Sequence, residues 1–188
     1  MLISIKVILT GDGAVGKTTL RRKYMGQSTA SRYLPTLGAD ISINNFQFED
    51  EKTKEFYNVK VQIWDIAGQY AFSAMRPMYY KGSQGIFLVY DVTNMDSFVN
   101  IENWILNISK YLKLGRLPIL LIGNKVDSRM DSPIQVGREV GEELAKKLSE
   151  IYTDGNWKIP LIETSALTGK NVKLAFEEMT KMTIFLNK

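Results

Sequence analysis

The chain has 188 residues, 45% of them apolar and 23% charged, which suits one soluble domain with a well-buried core. Net charge is only +4 and the 24 Lys and Arg are scattered, with short clusters at Arg21-Arg22-Lys23 and Lys146-Lys147, a distribution that speaks against a nucleic-acid binder. Cysteine is absent, which excludes a disulfide framework, a thiolate metal site and lipid attachment through cysteine within these residues; histidine is absent too, which excludes imidazole acid–base chemistry. No apolar run approaches the ~20 residues that cross a bilayer, and the first residues read as a strand, not as a secretory leader.

Residues 3–9 form the first expected strand and residues 17–26 the helix that it feeds. Between them lies Gly11-Asp12-Gly13-Ala14-Val15-Gly16-Lys17-Thr18, a G-x-x-x-x-G-K-T run at a strand-to-helix turn. Such a loop directs successive backbone N–H groups, here those of Gly13, Ala14, Val15, Gly16 and Lys17, into a phosphate cradle that the following helix dipole reinforces. The Lys17 ammonium would reach β- and γ-phosphates, and the Thr18 hydroxyl would take one position on Mg²⁺.

Residues 27–38 are polar and irregular, an expected surface loop beside the phosphates. Residues 40–48 and 56–64 alternate apolar with polar, giving a hairpin with a charged tip over residues 49–55. Short β-branched runs at 85–90, 118–122 and 159–162 are each preceded by a helical pattern, at about 72–81, 97–114 and 136–151, and a last helix is expected over 172–185. In that last helix Val172, Leu174, Ala175, Phe176, Met179, Met182 and Phe185 recur at helical spacing and read as core. Strands alternating with helices in this way imply an α/β fold, a mostly parallel sheet covered on both faces.

Three further segments carry chemistry. Asp65 ends a strand and is followed at three residues by Gly68: the carboxylate can hold Mg²⁺ through its water shell, and the Gly68 N–H can meet a γ-phosphate. In Asn124-Lys125-Val126-Asp127, an aspartate can accept from the ring N–H and exocyclic amine of guanine, whereas adenine would oppose it with a ring acceptor. Lys125 can lay its aliphatic stem over the base and Asn124 can tie this loop to the phosphate loop. The segment Glu163-Thr164-Ser165-Ala166 closes the last strand and can offer the Ala166 N–H to the guanine carbonyl.

These four segments in this order resemble the Ras superfamily of small GTPases over nearly the whole chain, and Arg76-Pro-Met-Tyr-Tyr-Lys-Gly-Ser-Gln-Gly85 with Leu88-Val-Tyr-Asp91 is most similar to the Rab branch. The resemblance implies a P-loop NTPase fold, three layers α/β/α, with a six-stranded sheet and five helices in one domain. It implies a GTP/GDP switch with Mg²⁺ and slow hydrolysis, on the order of 10⁻⁴ to 10⁻³ s⁻¹. By match, Pro35-Thr36-Leu37-Gly38 is the first switch, Thr36 joins Thr18 and Asp65 at the metal, Tyr33 covers the phosphates, Gln69 orients the attacking water, and Gly13 leaves that glutamine room.

The resemblance further implies a monomeric cytoplasmic protein that meets effectors through its switches, with the apolar cluster Ile43, Phe46, Trp64, Phe72, Met78 and Tyr79 forming part of that surface or, for some of its members, packing in the core. No arginine matches an internal arginine finger, so an activating protein and an exchange factor are expected. Four departures stand out. Thr29 occupies the place of an aromatic that packs on guanine, a role that Tyr24 or Tyr33 would then have to take, and Leu167 replaces a lysine beside the base. Residues 49–54 lengthen the hairpin, read as a harmless extension in preference to a dedicated partner epitope because long surface loops cost little to close. Finally, no prenylatable tail follows the last helix, so either such a tail lies beyond this sequence and brings the protein to membranes, or the protein works in solution. A GTP-binding scaffold with negligible hydrolysis remains the alternative; an ATPase or nucleotide kinase is disfavoured by Asp127.

Overall fold

Apolar runs and amphipathic stretches alternate along the chain, and the computed structural model, which describes residues 2–29, 35–155 and 157–186, converts them into alternating strands and helices. In chain order they are β1 (Leu2–Thr10), α1 (Lys17–Tyr24), β2 (Ala39–Glu49), β3 (Phe56–Ile66), a 3₁₀ turn over Tyr70–Met75 that runs into α2 (Arg76–Tyr80), β4 (Gly85–Asp91), α3 (Met95–Val99), α4 (Ile101–Ser109), β5 (Ile119–Asn124), a second 3₁₀ turn over Val126–Asp131, α5 (Arg138–Tyr152), β6 (Leu161–Glu163) and α6 (Val172–Leu186). The sheet order is β2-β3-β1-β4-β5-β6. Only the β2–β3 hairpin is antiparallel; β1 pairs in parallel with β3 and β4, and β4–β5 and β5–β6 are parallel as well.

Period-two alternation divides the core between the two faces of the sheet. Val7 and Leu9 of β1 with Phe87 and Val89 of β4 meet Leu20 of α1 and Phe176 and Met179 of α6. Their neighbours Ile8, Ile86, Leu88 and Tyr90 meet Tyr80, Ile101, Ile105, Ile108, Leu144 and Leu148 on the other side. The expected three layers are thus present.

Two expectations change in detail. The third helix, anticipated as one element over 97–114, comes as α3 and α4 joined at Asn100, so six helices instead of five are found among the described residues. The Asn94 side chain caps α3 by accepting from the Ser97 N–H at 3.1 Å, while the Asn100 amide is drawn away to Asp12 at 2.7 Å. In α6, Leu174 and Phe185 lie largely outside the core, and Thr180 and Thr183 are buried instead. Their hydroxyls donate to the carbonyls of Phe176 and Met179 four residues earlier, at 2.8 and 2.7 Å, which removes the penalty for burying them.

The hairpin tip is built on Asp50. Its carboxylate accepts from the Lys52 N–H and the Thr53 hydroxyl, both at 2.9 Å, and Lys54 closes the turn in the left-handed region at φ 60°.

Phe176 joins α6 to the sheet and to α1: its ring stacks on Tyr24 at 4.2 Å and lies 4.9 Å from Phe87. Phe176→Ala should therefore lower the free energy of unfolding by about 3–5 kcal/mol, read from equilibrium urea denaturation, since the flanking rings cannot both collapse into the space.

Candidate functional site

The five parallel strands β3, β1, β4, β5 and β6 point the same way, so the loops after them gather at one end of the sheet, where ligands of open α/β sheets bind. The phosphate loop leaves β1 and curls through left-handed backbone at Ala14 (φ 62°) and Gly16 (φ 97°). Gly16 has a second constraint: a Cβ there would stand 2.3 Å from the Asn124 amide nitrogen. Lys17 opens α1 almost wholly buried, and its ammonium donates to the carbonyls of Gly11 at 2.7 Å and Asp12 at 2.6 Å. Burial pulls its pKa down from 10.5 to about 8, against the opposing attraction of Asp65 and Asp12.

At the next position of α1, the Thr18 hydroxyl donates to Asp65 Oδ2 and lies 3.0 Å from the Thr36 hydroxyl, which itself approaches the same carboxylate oxygen at 3.5 Å. Asp65 is fully buried, and its other oxygen, Oδ1, has no hydrogen-bond partner among the described residues. Desolvation pushes its pKa up, and the Thr18 hydroxyl, Lys17 and Arg21 pull it back. Two hydroxyls and a carboxylate with a free lone pair make an all-oxygen donor set of the kind that hard Mg²⁺ favours.

The chain then runs from β3 past the phosphate loop at van der Waals distance. At Gly68 a Cβ would meet the carbonyl carbon of Asp12 at 2.3 Å and the Gly13 nitrogen at 2.5 Å, so only glycine lets these two backbones touch. Gln69 follows, and its Cγ lies 3.8 Å from where a Gly13 Cβ would be.

On the far side, Asn124 is fully buried and links three loops: its amide NH₂ donates to the Val15 carbonyl at 2.9 Å, while its oxygen accepts from the Thr164 hydroxyl at 3.0 Å and the Ala166 N–H at 3.1 Å. The Ala166 N–H, read from sequence as a donor to a base, thus has an acceptor within the protein. Lys125 sits in the left-handed region at φ 69°, with its ammonium 2.6 Å from Asp91 Oδ2. Asp127 Oδ2 accepts from Ser128 at 3.1 Å, and its Oδ1 is buried with no partner among the described residues. Ser165 is buried and accepts from the Thr168 N–H at 3.0 Å; Leu167 is exposed, and its carbonyl accepts from Lys23 at 3.2 Å.

Tyr24 has no freedom to stand in for an aromatic at position 29, because its ring is stacked on Phe176. Tyr33 lies outside the described residues.

Two supports were not foreseen from sequence. Asp91, which anchors Lys125, is itself held by the N–H and hydroxyl of Thr93 at 2.9 and 2.6 Å; its signal was a carboxylate at the end of β4, in register with Asn124 of β5. Arg21 is buried in α1 and pairs with Asp40 and Ser42 at the start of β2, its signal being an arginine four residues after Lys17 on the inward face of the helix.

A sequence profile of the Ras family matches residues 6–184. The chain belongs to the Ras family. Within it, the chain is similar to Rab-branch proteins at moderate identity: it is 38% identical over 180 residues to the mouse "Ras-related protein Rab-26", covering 95% of this chain and 62% of that protein. The fission-yeast (Schizosaccharomyces pombe) "GTP-binding protein ypt1" is 38% identical over 176 residues, 94% of this chain and 78% of that protein. The human "Ras-related protein Rab-8B" is 36% identical over 187 residues, 97% and 82% of the two chains. This Ras-family chain thus spans less than two thirds of the length of Rab-26.

The buried Lys17 makes the ligand-free protein pH-sensitive in a defined direction. Its folded pKa of about 8 lies below the unfolded value of 10.5, so the unfolded chain binds the proton more tightly and folded stability rises as pH climbs between those values. Measured against Lys17→Met by urea unfolding, nucleotide-free wild type should gain up to about 1.4 kcal/mol per pH unit in that window, with no relative gain below it.

Proposed function

We propose that this Ras-family protein is a guanine-nucleotide switch that binds GTP and GDP with Mg²⁺ and slowly hydrolyses GTP to GDP and phosphate. The observation that carries the reading is a pair of buried, partnerless carboxylate oxygens among the described residues: Asp65 Oδ1 beside the phosphate loop, and Asp127 Oδ1 on the loop that Asn124 ties to it. Buried acceptors are costly to leave unmatched, and one suits a cation while the other suits the donor edge of guanine.

In this reading the N–H groups of Gly13 to Lys17 and the Lys17 ammonium hold phosphate oxygens, giving up the Gly11 and Asp12 carbonyls in exchange. Thr18, Thr36 and Asp65 hold Mg²⁺, which neutralises charge on the β- and γ-phosphates when bound. The Gly68 N–H faces the γ-phosphate, Gln69 orients the water that attacks it, and Asn124, Lys125, Asp127, Ser165, Ala166 and Leu167 frame the base. Catalysis of this kind comes from position and electrostatics and not from a strong base, so the neutral amide of Gln69 suits the role.

Effectors would read the outer side of the hairpin. Of the cluster Ile43, Phe46, Trp64, Phe72, Met78 and Tyr79 suggested by sequence for that surface, Phe46 belongs elsewhere: as an even-numbered residue of β2 it faces the core with Phe48, whose ring it stacks on at 5.4 Å. Ile41 takes its place, opposite Trp64 in the β2–β3 register and, like Ile43, half exposed. We assign to this face the partners of a Rab-like regulator of trafficking or signalling, with an activating protein and an exchange factor acting at the switches.

Single-turnover hydrolysis by GTP-loaded protein tests the reading. Wild type should turn over slowly and Gln69→Leu at least about tenfold more slowly, with GTP affinity retained. Asp127→Ala should weaken GDP on the order of 10²- to 10³-fold, the loss of two charge-assisted hydrogen bonds, and wild type should exclude ATP. Tight GTP binding without turnover in either protein would make the chain a binding scaffold instead.

A further inference from the structure

The Gln69-bearing segment is poorly held by packing. None of Tyr70–Met75 is buried, and a cavity of about 310 Å³ separates this turn from α4, bounded by Asp12, Gly68, Tyr70, Ser73, Asn103 and Asn107. Without an apolar anchor, something else must fix where Gln69 sits relative to the phosphate loop.

Polar contacts do so at the rim of that cavity. Arg76, at the start of α2, folds its guanidinium back along the chain: Nη2 donates to the carbonyls of Gly68 at 3.0 Å and Gln69 at 2.8 Å, and Nε reaches that of Ala67 at 3.4 Å. The same guanidinium lies over the Trp104 ring, 4.1 Å from its centroid. Trp104 in turn donates its indole N–H to Asp12 Oδ1 at 2.7 Å, and the Asn100 amide donates to the same oxygen at 2.7 Å. Asn103 donates to Asn100 Oδ1 at 2.7 Å and so fixes which way that amide faces.

We propose that Asp12, Trp104 and Arg76 form a brace that locks the main chain at residues 67–69 to the phosphate loop, making Arg76 a positioning residue for hydrolysis. It rests on the switch reading above. The brace grips carbonyls, so it sets the place of the Gln69 backbone and leaves the side chain free to turn toward water. A planar guanidinium suits such a brace because it forks over adjacent carbonyls while stacking on an indole, which a lysine ammonium cannot do at once. Arg76 acts through Gln69 and touches no reacting atom.

The test uses the full chain with Arg76→Ala, Arg76→Lys, Trp104→Phe and the double variant Arg76→Ala/Trp104→Phe. Single-turnover GTP hydrolysis, release of fluorescent GDP and amide hydrogen exchange over residues 67–72 are measured for each. Arg76→Ala should slow hydrolysis about tenfold while GDP release changes by less than about twofold, and Arg76→Lys should recover only part of the rate. Trp104→Phe, which keeps an aromatic ring but loses the bond to Asp12, should slow hydrolysis about threefold, and the double variant should be no slower than Arg76→Ala, because the three residues act as one unit. Exchange at residues 67–72 should quicken by about tenfold in Arg76→Ala, whichever nucleotide is bound.

Wild-type hydrolysis in Arg76→Ala, multiplicative losses in the double variant, or unchanged exchange would overturn the brace. A wild-type protein that binds GTP without turning it over would overturn the switch reading alone, and the exchange data would still decide the brace. Should Arg76→Ala fail to fold, the lysine and phenylalanine variants carry the same comparisons.

Discussion

A single buried amide, that of Asn124, holds this end of the molecule together. Parallel strands deliver three loops to one edge of the sheet, yet nothing in strand pairing dictates how those loops sit against one another once hydrogen bonding between strands has ended. Asn124 supplies the link by donating to the phosphate loop at Val15 and accepting from Thr164 and Ala166 after β6. It is completely enclosed, where an unmatched amide group would be strongly destabilising, so the loops must meet in this one arrangement for its donor and its acceptor to be matched. The glycine at position 16 follows from the same requirement, because any side chain there would displace the amide.

Electrostatics add tension to that framework. Burial pushes Lys17 toward its neutral form and Asp65 toward its protonated form, and each partly relieves the other. The protein turns its own carbonyls and hydroxyls toward the two groups, a compromise that leaves one carboxylate oxygen without a partner among the described residues. The two buried groups are thus held by internal carbonyls and hydroxyls that match their charges only in part.

Much of this was legible in sequence where the signal is local. The strands and the long helices announce themselves through apolar runs and helical spacing, and the residues named around Gly11 to Thr18, Asp65 to Gln69, Asn124 to Asp127 and Ser165 to Leu167 stand on loops that the fold gathers together. What sequence missed depends on distant partners. The junction at Asn100 carries a side chain held by Asp12, 88 residues away, and no local propensity records that contact. Thr180 and Thr183 look polar to any periodicity count, yet bury themselves by bonding to their own helix. Phe46 is different: sequence left it open between surface and core, and residue parity along β2, a period that the sequence does contain, separates it from Ile43 and sends it to the core.

The same parity has a consequence for how this molecule can change over time. Along β2 the even positions Phe46 and Phe48 pack toward the core, with the rings of Tyr57 and Phe185 beside Phe48, and the odd positions Ile41 and Ile43 lie half exposed on the outer face. One strand therefore carries two alphabets that can be rewritten separately. Substitutions at the odd positions change the outer face of the hairpin while leaving the core contacts of Phe46 and Phe48 in place, so the two faces of one strand can vary separately.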